Sequence, residues 1–377
     1  MTILKPFKLV TVMLIPKAFG ISIQLTFKGF QILSAILGAN YLLDFKTEAI
    51  LPLGMNLEDV FAQYEPELKI TEDRLRDLFN SRVFTIPLIG KYLIDGGGKR
   101  LRPLILILSA EIAGYKGDAC LTLAGIVESI HTASLLHDDV VDGAEIRRGK
   151  SPAHSIWGNQ IVILVGDFLY SNALKHAVMQ KNQKIMETLS EATTRMTEGE
   201  ILQLAKIGDP DITEEEYLDI ITAKTAALIS AACRIGAILG SIPEDMENAL
   251  ANFGMKTGIA FQMTDDILDY MADENKLGKK LGKDLKEGKI TLPVISLLKA
   301  AEDNEVEEVK GIIKKDLKKD GLKKILKLFI KYNSIESSLE KARDLIADAK
   351  KDLSVFPDSP AKDALFSVAD YTFRRGK

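Results

Sequence analysis

The chain has 377 residues, 46% hydrophobic and 27% charged, the balance of a folded protein with a sizeable core. Its net charge of −4 gives no general basic field and so argues against a nucleic-acid binder. Four histidines are too few for a His-built zinc site, and the two cysteines, Cys120 and Cys233, lack metal-ligand spacing; buried reduced thiols in a cytoplasmic setting are expected.

In chain order, residues 1–54 stand apart. They carry Lys5, Lys8, Lys17 and Lys28, and no acid before Asp44. The apolar stretches flanking Lys28 fall short of the roughly 20 residues of a membrane span. Without Arg or a clear small-residue cleavage site, the segment matches a transit peptide poorly. Three readings compete: a targeting or membrane-surface extension, extra helical structure, or a true start at Met55, which is favoured because Met55-Asn-Leu-Glu-Asp opens an ordinary amphipathic pattern.

From residue 55 to 377 the pattern predicts one all-α domain, a helical bundle. Leu104, Ile105, Ile107, Leu108 and Ile112, then Ile126, Val127 and Ile130, and then Val162, Leu164, Val165, Phe168 and Leu169 recur at helical spacing. Strand-like alternation is largely absent, and Gly and Pro fall mostly between helices. Glu305 to Lys331 reads as a solvated amphipathic helix pair.

The chemistry-bearing residues lie within this frame. Gly96-Gly97-Gly98-Lys99-Arg100-Leu101-Arg102-Pro103 is a glycine turn with three cations. Glycine lets a backbone approach a phosphate and Arg grips two oxygens, although such a loop can equally be plain solvated charge. It lacks the G-x-x-x-x-G-K-[ST] spacing of a P-loop. Next come His131 and His137, and then Asp138-Asp139-Val140-Val141-Asp142. The same D-D-x-x-D returns as Asp265-Asp266-Ile267-Leu268-Asp269. Helical spacing puts Asp138 and Asp142 on one face, and Asp265 and Asp269 on another. Acids in apolar helices are costly unless something positive joins them. Hard carboxylate oxygens suit Mg²⁺ bridged to phosphates. Cations follow each motif: Arg147 and Arg148, which being adjacent point in different directions, then Lys224-Thr225, and then a loop carrying Lys279, Lys283, Asp284 and Lys289 that reads as a lid or as plain surface.

Taken together, Gly97 to Pro103, His131 to Asp142 with Arg147-Arg148-Gly149, Phe261 to Asp269, and the closing Ala369-Asp370-Tyr371 resemble the trans-type isoprenyl diphosphate synthases, over about residues 56 to 377. The resemblance implies an all-α bundle around a deep central cavity, usually a homodimer. It implies condensation of an allylic diphosphate with isopentenyl diphosphate under three Mg²⁺ ions. The ions would be held by Asp138, Asp142 and Asp265, with Asp139, Asp266, Asp269 and Asp284 in support. By the same match Arg147, Lys224 and Lys279 take the allylic diphosphate. Lys99, Arg102, His131 and Arg148 take isopentenyl diphosphate. Thr225 and Gln262 lie near the developing cation, with Lys224 as a third catalytic residue.

One turn before Asp138 stand Ala133 and Ser134, both small. As a gate on a growing tail they predict a long all-trans product of the kind used for quinone side chains, with peripheral membrane contact at its release. A class I terpene cyclase is the competing enzyme reading, but it usually carries a different second motif. A non-catalytic subunit of a heteromeric synthase would be expected to have lost site residues, and none is visibly missing.

Overall fold

The computed structural model describes residues 9–14, 21–26, 56–271, 281–314 and 319–374. The chain divides into two compact units, Met1–Leu53 and Gly54–Lys377. In the first, β1 (Leu9–Leu14) pairs antiparallel with β2 (Ile21–Thr26), Leu9 opposite Thr26. Of the three readings of this segment, extra helical structure is not what residues 9–14 and 21–26 form. The alternation Ile21-Ser-Ile-Gln-Leu-Thr26 carries the period of a strand. The rest of the extension lies outside the described residues.

The second unit is helical: α1 (Leu57–Gln63), α2 (Glu65–Asp77), α3 (Thr85–Asp95), α4 (Leu101–Ile112), α5 (Ala119–Val141), α6 (Ala153–Trp157), α7 (Asn159–Val178), α8 (Gln183–Ala205) and α9 (Glu214–Ile221). A π-helical segment, Thr222–Ala226, leads into α10 (Ala227–Gly240) and α11 (Glu244–Met271). Then come α12 (Lys283–Lys286), α13 (Leu292–Ala300), α14 (Asp303–Lys314), α15 (Lys319–Lys331), α16 (Ser334–Asp352) and α17 (Pro360–Arg374). Local chemistry sets several starts. Asn56 caps α1 by accepting from the Asp59 amide at 2.8 Å, and Thr213 with Glu216 forms a capping box on α9.

The core runs along α5, which packs on α2, α4 and α7, while α11 packs on α10 and α16. Leu123, Ile126, Val127 and Ile130 of α5 are fully buried. Among the described residues, α5, α7 and Glu214–Gly240 are long and apolar enough to cross a membrane. In α5 and Glu214–Gly240, 67% and 83% of the apolar window is already buried inside the fold, against 33% for α7. Cys233 is buried, which pushes its thiol up to about 12; Cys120 is only half-buried, less than its apolar run suggests.

Candidate active site

The first acidic motif closes α5. Asp142 caps the helix, its amide donating to the Asp138 carbonyl at 2.8 Å, and Gly143 (φ 59°) turns the chain away. The three carboxylates then diverge. Asp139 is 3% exposed and accepts from Arg147 Nε at 2.7 Å and from Arg147 Nη2. Asp142 pairs with Lys289 Nζ at 3.1 Å. The Asp138 carboxylate has no hydrogen bond or ion pair among the described residues. Burial pushes its carboxyl up to about 6, with Lys224 opposing and Glu200 and Asp142 adding to the rise. Arg147 returns to Asp139 through a two-residue turn: Arg147 and Lys150 exchange backbone hydrogen bonds at 2.9 and 3.0 Å around Arg148 (φ 52°) and Gly149 (φ 74°). Left-handed backbone at both central residues is the mark of such a tight turn. His137 lies outside this group: its Nε2 is 3.1 Å from the Ile163 carbonyl of α7 and 3.4 Å from Asp167.

The second motif sits on α11. Asp266 is 5% exposed and accepts from the Tyr217 hydroxyl at 2.7 Å and from Gln262 Nε2 at 2.8 Å. Gln262 Oε1 in turn accepts from Thr225 Oγ1 at 2.9 Å. Burial and the Asp284 charge raise the Asp266 carboxyl, against those two hydrogen bonds. Asp269 accepts from the Asp284 amide at 3.0 Å and, through its carbonyl, from the Gly282 amide at 3.0 Å, pinning the returning loop. Asp284 is pushed up to about 7 by burial and by Asp269. From the same loop Lys289 crosses to Asp142, so a cation following the second motif reaches the first.

Lys224 and Thr225 stand on the π-helical segment, a local widening of the kind found at functional sites. Lys224 Nζ is 2.5 Å from Glu200 and 2.8 Å from Gln203. Glycine at 199 lets α8 come this close, since a Cβ there would lie 2.5 Å from the Lys224 nitrogen. Lys279 lies outside the described residues.

The glycine turn meets these elements from the other side. Arg102 has burial lowering its value, opposed by Glu128 and by Asp265 of the second motif, and its Nε is buried with no hydrogen-bond partner. The His131 imidazole is held well below its ordinary 6.5 by burial, then by Arg102, Arg148, Arg147 and Arg100, so it is neutral. Arg148 is lowered by burial and by Arg100. Arg100 (φ 50°) pairs with Glu128 at 3.1 Å and with Glu72 at 3.5 Å. Gly98 makes room for this cluster, because a Cβ there would lie 2.9 Å from Arg100 Nη1 and 3.1 Å from Arg148 Nη1. Lys99 donates to the Tyr371 hydroxyl.

Of the gate residues, Ser134 is four residues from Asp138 and shares its side of α5, half-buried. Ala133, five residues back, is turned about 140° away at 3.6 residues per turn and is fully buried. Sequence reasoning missed Tyr217, Glu200, Gln203, Glu128 and Arg100 as partners. The i, i+3 pairing of Glu200 with Gln203 was the one local signal among them.

Among the described residues no three His, Cys, Asp or Glu side chains converge into a ready metal cage. The donor set nevertheless fits Mg²⁺, which keeps waters and takes substrate phosphates alongside one or two carboxylates. Asp138 in particular is enclosed, with Lys224 and Arg147 near it but no direct ion pair among the described residues.

An all-α bundle with two acidic motifs facing two groups of cations defines a class of diphosphate-handling enzymes. Residues 85–329 match the family model for polyprenyl synthetase. The octaprenyl diphosphate synthase of Escherichia coli (strain K12) is 38% identical over 323 residues, 86% of this chain and all of that one. A polyprenyl synthase from Caulobacter crescentus CB15, solved with calcium and isoprenyl diphosphate, superposes with a TM-score of 0.81 at 36% identity, covering 86% of this chain and 99% of its own. A decaprenyl diphosphate synthase from Rhodobacter capsulatus gives 0.81 at 37% identity, covering 85% and 99%. The chain belongs to the polyprenyl synthetase family.

Proposed function

We propose that residues 55–377 condense an allylic diphosphate with successive isopentenyl diphosphates, head to tail, into a long-chain all-trans polyprenyl diphosphate of the kind used for quinone side chains. The observation that carries this is the pairing of two acidic motifs with two cation groups. Lys224 and Arg147 stand beside Asp138, while Arg102, His131 and Arg148 gather at the glycine turn. One diphosphate would need only one such group. This favours the condensation over a terpene cyclase.

In this reading Lys224, Arg147 and Lys279 hold the allylic diphosphate as its C–O bond breaks. Lys99, Arg102, Arg148 and the neutral His131 hold isopentenyl diphosphate, whose double bond attacks the allylic carbon. A proton is then lost, and the released diphosphate can accept it. Asp138, Asp142 and Asp265 would hold three Mg²⁺ ions, with Asp139, Asp266, Asp269 and Asp284 in support; when bound, the ions neutralise charge growing on the leaving group. Thr225 donates its hydroxyl proton to Gln262, which leaves its oxygen lone pairs for the developing cation. Asp266, itself held by Tyr217, accepts from Gln262 Nε2 and so turns the amide oxygen of Gln262 towards Thr225. Ser134 and Ala133 form the first gate on the growing tail.

A homodimer accounts for the apolar surface of α7 and α8. Leu164 is 64% exposed and Ile201 61%, with Ile161, Ile163, Leu202 and Leu204 also exposed. Exposed large apolar side chains gathered on two helices point to an interface. Leu164→Asp is then expected to shift the sedimentation of the protein from dimer to monomer. A cytoplasmic enzyme touching the membrane peripherally fits so apolar a product, and fractionation of cells tests it.

The deciding experiment is incubation with Mg²⁺, labelled isopentenyl diphosphate and each allylic primer, followed by sizing of the products. Long linear chains are expected. Folded protein that incorporates nothing would point to a partner subunit, and cyclic hydrocarbons to a cyclase.

A further inference from the structure

Lys99 is held in place by the far end of the chain. Its ammonium donates to the Tyr371 hydroxyl and lies 4.9 Å from the centre of that ring. At that distance the ammonium sits at the hydroxyl edge of the ring, so the hydrogen bond is the contact that holds it. Tyr371 stands on α17, which packs along α4, the helix that the glycine turn leads into. The end of α17 is itself anchored. Thr372 is fully buried with its hydroxyl donating to the Ala369 carbonyl at 2.6 Å, Asp370 pairs with Lys350 at 2.5 Å, and Arg343 lies 5.2 Å over the Phe373 ring. Tyr371 is therefore a fixed post. Lys99 follows three successive glycines, one of them, Gly97, at φ 73°. A lysine on such a turn has a freely rotating stem unless something holds it.

We propose that Tyr371 is a positioning residue for the second substrate: it presents the Lys99 ammonium to the diphosphate of isopentenyl diphosphate. An ammonium has three donors, so one spent on the Tyr371 oxygen leaves two for phosphate oxygens. The phenol carries no charge, so it orients the cation without neutralising it as a carboxylate would. The contact differs in this from Lys224, which faces Glu200. The inference rests on the placement of Lys99 at the isopentenyl diphosphate site proposed above.

The test is initial-rate kinetics on the full chain with Mg²⁺, varying each substrate at saturation of the other. The proteins are wild type, Tyr371→Phe, Tyr371→Ala, Lys99→Ala and the double variant Lys99→Ala/Tyr371→Ala, with melting curves to confirm folding. Tyr371→Phe keeps the ring and loses the hydrogen bond; it is expected to raise KM for isopentenyl diphosphate about threefold, the scale of losing one hydrogen bond, and Tyr371→Ala at least as far. kcat and KM for the allylic substrate stay unchanged. Lys99→Ala raises the same KM at least as far, and the double variant is no worse than Lys99→Ala, because contacting residues are not additive. Variants of Tyr371 that lower kcat, or raise both KM values together, would overturn the proposal and leave Tyr371 as helix packing. Additive effects in the double variant would overturn it as well. If Lys99→Ala raises KM for isopentenyl diphosphate and neither Tyr371 variant does, the proposal fails while the site reading stands. If Lys99→Ala itself leaves that KM unchanged, the placement of Lys99 fails and the proposal with it.

Discussion

The two D-D-x-x-D motifs are alike in sequence and unlike in their surroundings. In each, the second aspartate is turned inward, at 3% exposure for Asp139 and 5% for Asp266. Asp139 is met by the charged Arg147, Asp266 by the neutral Tyr217 and Gln262. The third aspartates differ too: Asp142 meets a lysine from the far loop, whereas Asp269 meets the backbone of that loop. The second and third aspartates are therefore balanced by charge in the first motif and by neutral hydrogen bonds in the second. A buried acid without a cation is pushed towards its protonated form. Asp266 thus has more to gain from added positive charge than Asp139, which already shares its charge with Arg147.

The largest expected effect tests whether this difference matters for turnover. Asp138→Ala and Asp265→Ala are each expected to lower kcat by on the order of 10³-fold, the scale of losing an electrostatic stabiliser of a leaving group. A steady-state assay showing that either variant retains near-normal turnover would separate the motifs and sink their joint role.

Stability probes the inward acids next. Arg147→Ala strands the buried Asp139 charge and is expected to cost about 2–3 kcal/mol, less than a fully buried pair because Arg147 is 39% exposed. Tyr217→Phe removes one donor to Asp266 while Gln262 remains, at a cost of about 1–2 kcal/mol. Urea unfolding measures both. A larger loss for Tyr217→Phe than for Arg147→Ala would reverse the comparison.

Product length separates the two sides of α5. Ser134→Phe is expected to shorten the chain, read by chromatography of the dephosphorylated products. Ala133→Phe, at a fully buried position, is expected to shorten it less and to cost about 1–3 kcal/mol through overpacking. Unchanged product from both variants would remove the gate.

The smallest effect concerns pH. His131 titrates below its ordinary 6.5 in the folded chain, so as pH falls below that value the unfolded chain takes up a proton that the native chain does not. The native state loses stability over that interval. His131→Gln is expected to flatten the decline in melting temperature below pH 6.5. An unaltered slope would show that other groups set the acid response.

Much of the site was legible because helices are local. Spacing of i, i+4 already put Asp138 with Asp142 and Asp265 with Asp269, and the cation runs could be read off beside them. Adjacent Arg147 and Arg148 were expected to diverge; Arg147 goes to Asp139, but both arginines line one pocket and both act on His131. The β1–β2 hairpin was legible in the alternation of residues 21–26 but was passed over in a chain otherwise patterned for helices.

The amino-acid sequence by itself thus determined the all-α class and the faces of its helices, since a 3.6-residue period is written into neighbouring residues. It also determined which residues could carry the chemistry. Only the tertiary structure decided which acid of each motif turns inward, that Asp266 meets Tyr217, that Lys289 crosses to Asp142, and that Lys99 rests on Tyr371. Those partners lie 49, 147 and 272 residues apart, and helical periodicity says nothing about groups brought together only when helices pack.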